Sequence, residues 1–249
     1  MKFIGLLMVS HEDDILEAVV AAHEEIVDVF YVLDGTTPND VSRRICEASP
    51  KCGGYLTDAE LPRPPYTEKP VCGYRQSLYE AAVADHGWDN WFLILHGDEV
   101  WTCDPRDIVE DGHDGYWFQL PFYFPRDGEE WDNATHPLDQ LRWRLGPGFP
   151  EFRMFKGGPN VRYSETQTYD TKPSGVVGDG RCVAPIKHYL YRSPDEQRAR
   201  AARHVETGFD PDNYRHITAR DEVYWDDEMI ARYQQQDCWR DLACDGVLA

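Results

Sequence analysis

The sequence predicts an α/β fold: a Rossmann-like, mixed but mostly parallel sheet flanked by helices. Three observations carry that expectation. Trp91 to Leu95 is a run of five apolar residues, bounded by Asp89-Asn90 and by Gly97. It is too short for a helix and reads as a central strand buried on both faces. Phe3 to Val9 and Val27 to Leu33 are two further apolar runs, and the segment between them puts Ile15, Val19 and Ala22 on one helical face. A strand, helix, strand unit of that length joins parallel strands by a right-handed crossover. Finally, the strands run into acids and glycines, Asp34-Gly35 after the second and His96-Gly97-Asp98-Glu99 after the central one. Open α/β sheets hold their ligands at the carboxyl ends of their strands.

Composition sets the limits. A chain of 249 residues, 41% hydrophobic and 13% aromatic, is long enough to bury a core without staples. We expect a single domain over 1–249, with a ligand-binding half over 1–115 and a second half over 116–249. A formal charge of -20 argues against general nucleic-acid binding, which depends on clustered Lys and Arg. The seven cysteines include no CxxC pair, so they read as reduced thiols, and a cytoplasmic protein is expected. The apolar N-terminus is followed at once by Glu12, Asp13 and Asp14, which makes it a first strand rather than a leader. No later segment is apolar enough to span a bilayer.

Along the chain, Ser10 with Asp13 reads as the cap of the first helix. Asp40 or Asn39 caps a short helix through Ala48, and the Pro-rich stretch from Cys52 to Pro70 reads as a surface loop. Leu78, Ala82 and Val83 recur at helical spacing from Tyr74 to His86, with Gly87 as the stop. Pro105 to Glu110 is a short helix and Tyr116 to Phe124 an aromatic strand. The segment from Pro125 to Pro150, with Trp131, Trp143 and several Gly and Pro, reads as a mobile loop lining a binding site. Phe152 to Phe155 and Val161 to Tyr163 read as a hairpin around Lys156-Gly157-Gly158-Pro159-Asn160. After an irregular, Gly-rich region from Glu165 to Asp179, Ile186 to Tyr191 is the last clear strand. Ser193-Pro194-Asp195-Glu196 then starts a helix running to Thr207. Asp226 to Tyr233 is a further helix.

Taken in order, these pieces resemble the family 2-like glycosyltransferases of the GT-A fold. Val9-Ser10-His11-Glu12 looks like that family's Val-x-Asn-Glu at the end of the first strand, with His11 in place of Asn. Val32-Leu33-Asp34-Gly35-Thr36 is similar to its Val-x-Asp-x-Gly-Ser, and Arg75-Gln76 to its Arg-Asn pair. Leu93 to Glu99 resembles the Asp-x-Asp-Glu signature, with His96 replacing the first Asp. Phe152-Arg153-Met154-Phe155 with Arg162-Tyr163 looks like the acceptor-side hairpin, and His188-Tyr189-x-Tyr191-Arg192-Ser193 like the closing His strand.

The resemblance implies sugar transfer from a nucleotide-diphosphate sugar, a UDP-sugar first, to a hydroxyl acceptor, with inversion. The acceptor class is open: a glycan, a lipid-linked sugar, a small molecule or a modified nucleic-acid base. Ser10, Glu12, Asp34, Arg75, Gly97 and Asp98 would bind the donor. Asp98, His188 and His96 would hold Mn²⁺ or Mg²⁺, an ion that stabilises the charge of a departing diphosphate. Glu99 would orient the turn or the acceptor. Where family members carry a His-Glu pair, this chain has Ser164 to Thr168, so Glu165 and Asp170 become the candidate bases. Two other readings compete. A sugar nucleotidyltransferase needs a Gly-rich, basic loop after its first strand, but Ser10 to Asp14 is acidic. A non-catalytic binding module would keep the fold without turnover.

Overall fold

The structure, a computed structural model, describes residues 1–35, 40–57, 71–110, 112–125, 130–163, 172–180 and 185–206. The chain divides into two compact units. Among the described residues, the first unit holds 1–119 and 150–186, and the second holds 120–149 and those from 187 onward.

The first unit is a mixed α/β layer structure. Strand β1 (Phe3–Val9) is followed by helix α1 (Leu16–Ile26) and strand β2 (Val29–Asp34), then by α2 (Asp40–Ala48) and β3 (Cys52–Thr57). Helix α3 (Val71–His86) leads into β4 (Trp91–His96) and the short β5 (Glu99–Trp101). β2, β1 and β4 are apolar up to Asp34 and His96, which end β2 and β4, because both faces are covered, as parallel strands require. The order is β3-β2-β1-β4, all parallel. β7 (Trp143–Lys156) closes the far side of β4 antiparallel, with Phe92 opposite Phe155. β6 (Gly115–Phe124) follows β7 in the sheet, and β8 (Asp179–Gly180) pairs with the start of β6.

The core forms where α3 lies on the sheet. Leu78 and Ala82 are one helical turn apart and fully buried, the i, i+4 stripe that a helix presents to its support. Beside them Tyr79 meets Phe92 edge-on at 4.8 Å between ring centroids, and Phe92 stacks on Phe155 at 5.6 Å. Aromatic pairs at these distances contribute about 0.5–1.5 kcal/mol each beyond their buried area.

The second unit takes in the end of β6, α4 (Pro137–Gln140), the start of β7, most of β9 (Ile186–His188), and α5 (Pro194–Glu206). Phe122 and His188 are parallel strand partners. α5 begins as the sequence predicts: the Ser193 hydroxyl accepts from the Glu196 N–H at 3.1 Å.

Several expectations are corrected. Ser10 and Asp13 do not cap α1, which starts at Leu16 without a side-chain cap. The Glu12 carbonyl accepts from the N–H groups of Ile15 and Leu16 instead, and the Asp13 carboxylate accepts from Ser42. The loop expected from Cys52 opens with strand β3, paired along β2. Within the segment expected to be a loop, β7 begins at Trp143. Pro105 to Asp107 is a 3-10 turn capped by Asp104 rather than a helix to Glu110. The hairpin does not form, because the open edge of β4 takes Met154 to Lys156 as its partner. The chain after Gly157 turns back to α3, where the Tyr163 N–H donates to Gln76 Oε1 at 2.8 Å. The expected helix at Asp226 to Tyr233 lies outside the described residues.

Candidate functional site

The order β3-β2-β1-β4 means that the chain leaves β1 toward one side of the sheet and later returns on the other. The carboxyl ends of β1 and β4 therefore flank a topological switch point, where open sheets bind ligands. Two glycines close on the end of β1: the Gly35 N–H donates to the Val9 carbonyl at 3.0 Å, and the Gly97 N–H to the Met8 carbonyl at 2.9 Å. The register sets Asp34 beside Val9 and His96 beside Met8.

From the β1 side, Ser10 is exposed and its N–H donates to Glu12 Oε2. His11 takes φ +64, a left-handed conformation that Asn, Asp and His adopt more readily than other non-glycine residues. Glu12 is 7% exposed, and a Cβ at position 97 would fall 2.9 Å from its Oε2. Thus the two loops touch only because residue 97 is glycine. From β2, Asp34 is buried and accepts from the Tyr55 hydroxyl at 2.6 Å. Burial first, and then this bond, raises the Tyr55 phenol.

From the β4 side, His96 stands between two guanidiniums. Arg75 Nη2 lies 3.2 Å and Arg153 Nη1 3.0 Å from His96 Nε2. His96 Nδ1 lies 3.1 Å from Glu99 Oε1, which also accepts from Arg153 Nη2 at 2.7 Å. A guanidinium only donates, so Nε2 is the acceptor and Nδ1 carries the proton toward Glu99. Burial, then Arg153, lowers the His96 pKa against the pull of Glu99, which keeps the ring neutral at pH 7. Arg153 also donates to Glu151.

The first unit therefore brings together Glu12, Asp34, Arg75, His96, Gly97, Asp98 and Glu99. His188 belongs to the second unit, its ring 5.2 Å from that of Phe122. Glu165 and Asp170 lie outside the described residues. Glu99, a candidate to orient the acceptor, is fully buried and ion-paired. Sequence reading passed over Arg153 as a site residue; a lone arginine inside Phe152-Arg153-Met154-Phe155 was the available signal, since a charge on a buried strand needs a partner.

The donor set can be tested against a divalent ion. Ligand atoms of His96, Asp98 and Glu99 lie within 4.8 Å of one another, a spacing that suits a shared cation. Their hydrogen bonds do not suit one. Both nitrogens of His96 and one oxygen of Glu99 are already bonded: Nε2 and Glu99 Oε1 accept from guanidiniums, and Nδ1 donates to Glu99. Like charges about 4 Å apart near a protein surface repel by about 4 kcal/mol, and a divalent ion doubles that. Of the three, His96 has both nitrogens engaged, whereas Glu99 Oε2 lies buried outside these bonds.

No family model matches the chain, and no curated protein matches it. Among solved structures, HddC from Yersinia pseudotuberculosis matches with a TM-score of 0.40 and 9% sequence identity, over 76% of this chain and 93% of that one.

Proposed function

We propose that this chain is a GT-A-type glycosyltransferase that moves a sugar from a nucleotide-diphosphate sugar, a UDP-sugar first, to a hydroxyl acceptor with inversion. The observation that carries this reading is the gathering of Glu12, Asp34 and His96 to Glu99 at the β1/β4 switch point. Asp34, whose carboxylate accepts from the Tyr55 hydroxyl, would accept from a nucleotide base, as the family resemblance implies. The Gly35 and Gly97 turns keep side chains out of the crevice. Transfer breaks the bond between the sugar C1 and the β-phosphate oxygen and forms one from C1 to the acceptor oxygen. The hydroxyl proton passes to a base, and the nucleoside diphosphate leaves. Glu165 and Asp170 are the candidate bases that the family resemblance leaves.

The test is to incubate the protein with UDP-glucose, UDP-N-acetylglucosamine and GDP-mannose and follow release of the nucleoside diphosphate by ³¹P NMR, with water as the default acceptor. Slow release from one donor, faster with a hydroxyl acceptor, is expected. Neither release nor saturation-transfer contact with any of the three would overturn the reading for those donors.

A further inference from the structure

We infer that the pocket at the amino end of β4, between α3 and the chain that returns to it after β7, binds a neutral sugar ring of a glycan by stacking it on Trp88. This pocket lies at the opposite end of β4 from His96, about 16 Å away along a strand of this length. It is a second site, and it does not depend on the donor reading proposed above.

Among the described residues Trp88 is the one large aromatic side chain left exposed, at 52%, and it sits on the turn between α3 and β4. That turn is fixed by its backbone. The Asn90 N–H donates to the Trp88 carbonyl at 2.8 Å, and the Gly157 N–H donates to the Asn90 carbonyl at 2.8 Å. A Cβ on Gly157 would fall 2.3 Å from the same Trp88 carbonyl oxygen, so only glycine lets the returning chain pass this close and form the second wall. The space between encloses about 330 Å³, with Tyr79, Glu80, Val83, Trp88, Pro159 and Arg162 among its lining. That is at the low end for small-molecule sites, roughly 300–1,000 Å³. Tyr79 is buried, and its hydroxyl lies 3.2 Å from the Gly158 carbonyl oxygen and 3.3 Å from the Gly158 nitrogen, which ties the wall to α3.

Two charges of opposite sign line this space, and each is held in place. Glu80 accepts from Gln76 Nε2 at 2.7 Å, and Gln76 Oε1 in turn accepts from the Tyr163 N–H at 2.8 Å. Arg162 donates from Nη1 to the Val161 carbonyl at 2.6 Å, and its backbone pairs with Ser174 in both directions. A carboxylate accepts about four hydrogen bonds and a guanidinium donates about five, so both keep capacity for a ligand. A phosphate would meet the Glu80 carboxylate and a cation would meet the Arg162 guanidinium, so the pair disfavours net charge of either sign. A pyranose fits both walls. Its C–H face covers the indole, whose amphipathic ring suits a boundary that is apolar on one side and wet on the other. Its hydroxyls donate to Glu80 and accept from Arg162.

The test reads the indole directly. Cellopentaose, maltopentaose and chitopentaose are titrated into the ¹⁵N-labelled protein without nucleotide or metal, and inorganic phosphate, UMP and a proline-rich peptide are titrated as competing occupants. The Trp88 indole N–H resonance is assigned by its loss in Trp88→Phe. At least one oligosaccharide should shift this resonance saturably, and Trp88→Ala should weaken its binding about tenfold or more by calorimetry. Trp88→Tyr, which keeps a ring, should retain most of the affinity. Glu80→Gln should weaken binding about threefold or more, and all of these variants should melt with the parent. No saturable shift with any of the three oligosaccharides would overturn the inference. So would a shift caused by phosphate, UMP or the peptide in their place, or equal affinity in the parent and Trp88→Ala. The shift in the parent decides the matter even if a variant folds poorly, and every outcome leaves the donor reading untouched, since no donor is present.

Discussion

Arg153 Nη2 donates to Glu99 Oε1 at 2.7 Å, and neither side chain is more than 1% exposed. This pair ties the turn after β4, at the first residue of β5, to β7. Removing one partner of a buried pair strands the other charge, at a cost of about 3–5 kcal/mol, whereas replacing both with apolar groups is often close to neutral. Arg153→Met should therefore lower unfolding free energy by that amount in urea titration, and Arg153→Met with Glu99→Leu should recover much of it. Equal costs for the single and double variants would show that the pair does not hold this turn.

His23 on α1 supplies a pH dependence. It is fully buried, and burial lowers its pKa from 6.5 to about 4, with Glu99 pulling upward and His96 adding a further downward push. Between these values the unfolded chain binds a proton that the folded chain does not, so stability falls as pH drops from about 6.5 toward 4 and levels off below. The span corresponds to about 3 kcal/mol. His96, also held low, acts in the same direction. His23→Leu should flatten most of this slope in denaturation measured across the window, and an unchanged slope would assign it to other groups.

The part of the site that sequence reading reached is the part written in local pattern. β1, β4 and α3 are legible because apolar runs and a helical stripe declare them, and α5 because Ser193 is a cap. The acids at the strand ends followed from those strands. β3 escaped because Cys52-Gly53-Gly54-Tyr55 neither alternates nor forms an apolar run, and its pairing comes entirely from β2. β7 escaped because Gly146, Pro147, Gly148 and Pro150 read as loop chemistry. The β4 edge that captures it lies more than fifty residues earlier in the chain. Arg153 was missed for the same reason: its partners His96 and Glu99 are near only in space.

Asp34 and Tyr55 separate recognition from support. If Asp34 contacts the base, Asp34→Asn removes a charged hydrogen bond of about 1.5–3 kcal/mol and weakens nucleoside diphosphate binding roughly 10- to 100-fold by calorimetry. Tyr55→Phe deletes only the supporting 2.6 Å bond. It should cost about 1–2 kcal/mol of stability and leave affinity within about threefold of the parent. Equal affinity in parent and Asp34→Asn would remove Asp34 from the donor site.

Two glycines distinguish damage to the site from damage to the fold. A Cβ on Gly157 would lie 2.3 Å from the Trp88 carbonyl oxygen and 2.5 Å from Phe92 Cε2. The first is backbone, and the Gly157 N–H is tied to the Asn90 carbonyl at 2.8 Å, so nothing nearby yields easily. Gly157→Ala should cost about 3 kcal/mol, at the upper end of ordinary overpacking. At Gly97 the nearest atom to a new Cβ is Glu12 Oε2 at 2.9 Å, the end of a side chain, followed by Val9 Cγ1 at 3.3 Å. There the carboxylate moves and the strand stays, so Gly97→Ala should lose only about 1 kcal/mol. It displaces Glu12 from the Ser10 N–H and narrows the crevice between β1 and β4. Thermal melts should thus rank Gly157→Ala far below Gly97→Ala, while diphosphate titration should find Gly97→Ala impaired in binding despite its near-parental stability. A Gly97→Ala protein that melts and binds like the parent would place the ligand away from the β1/β4 switch point.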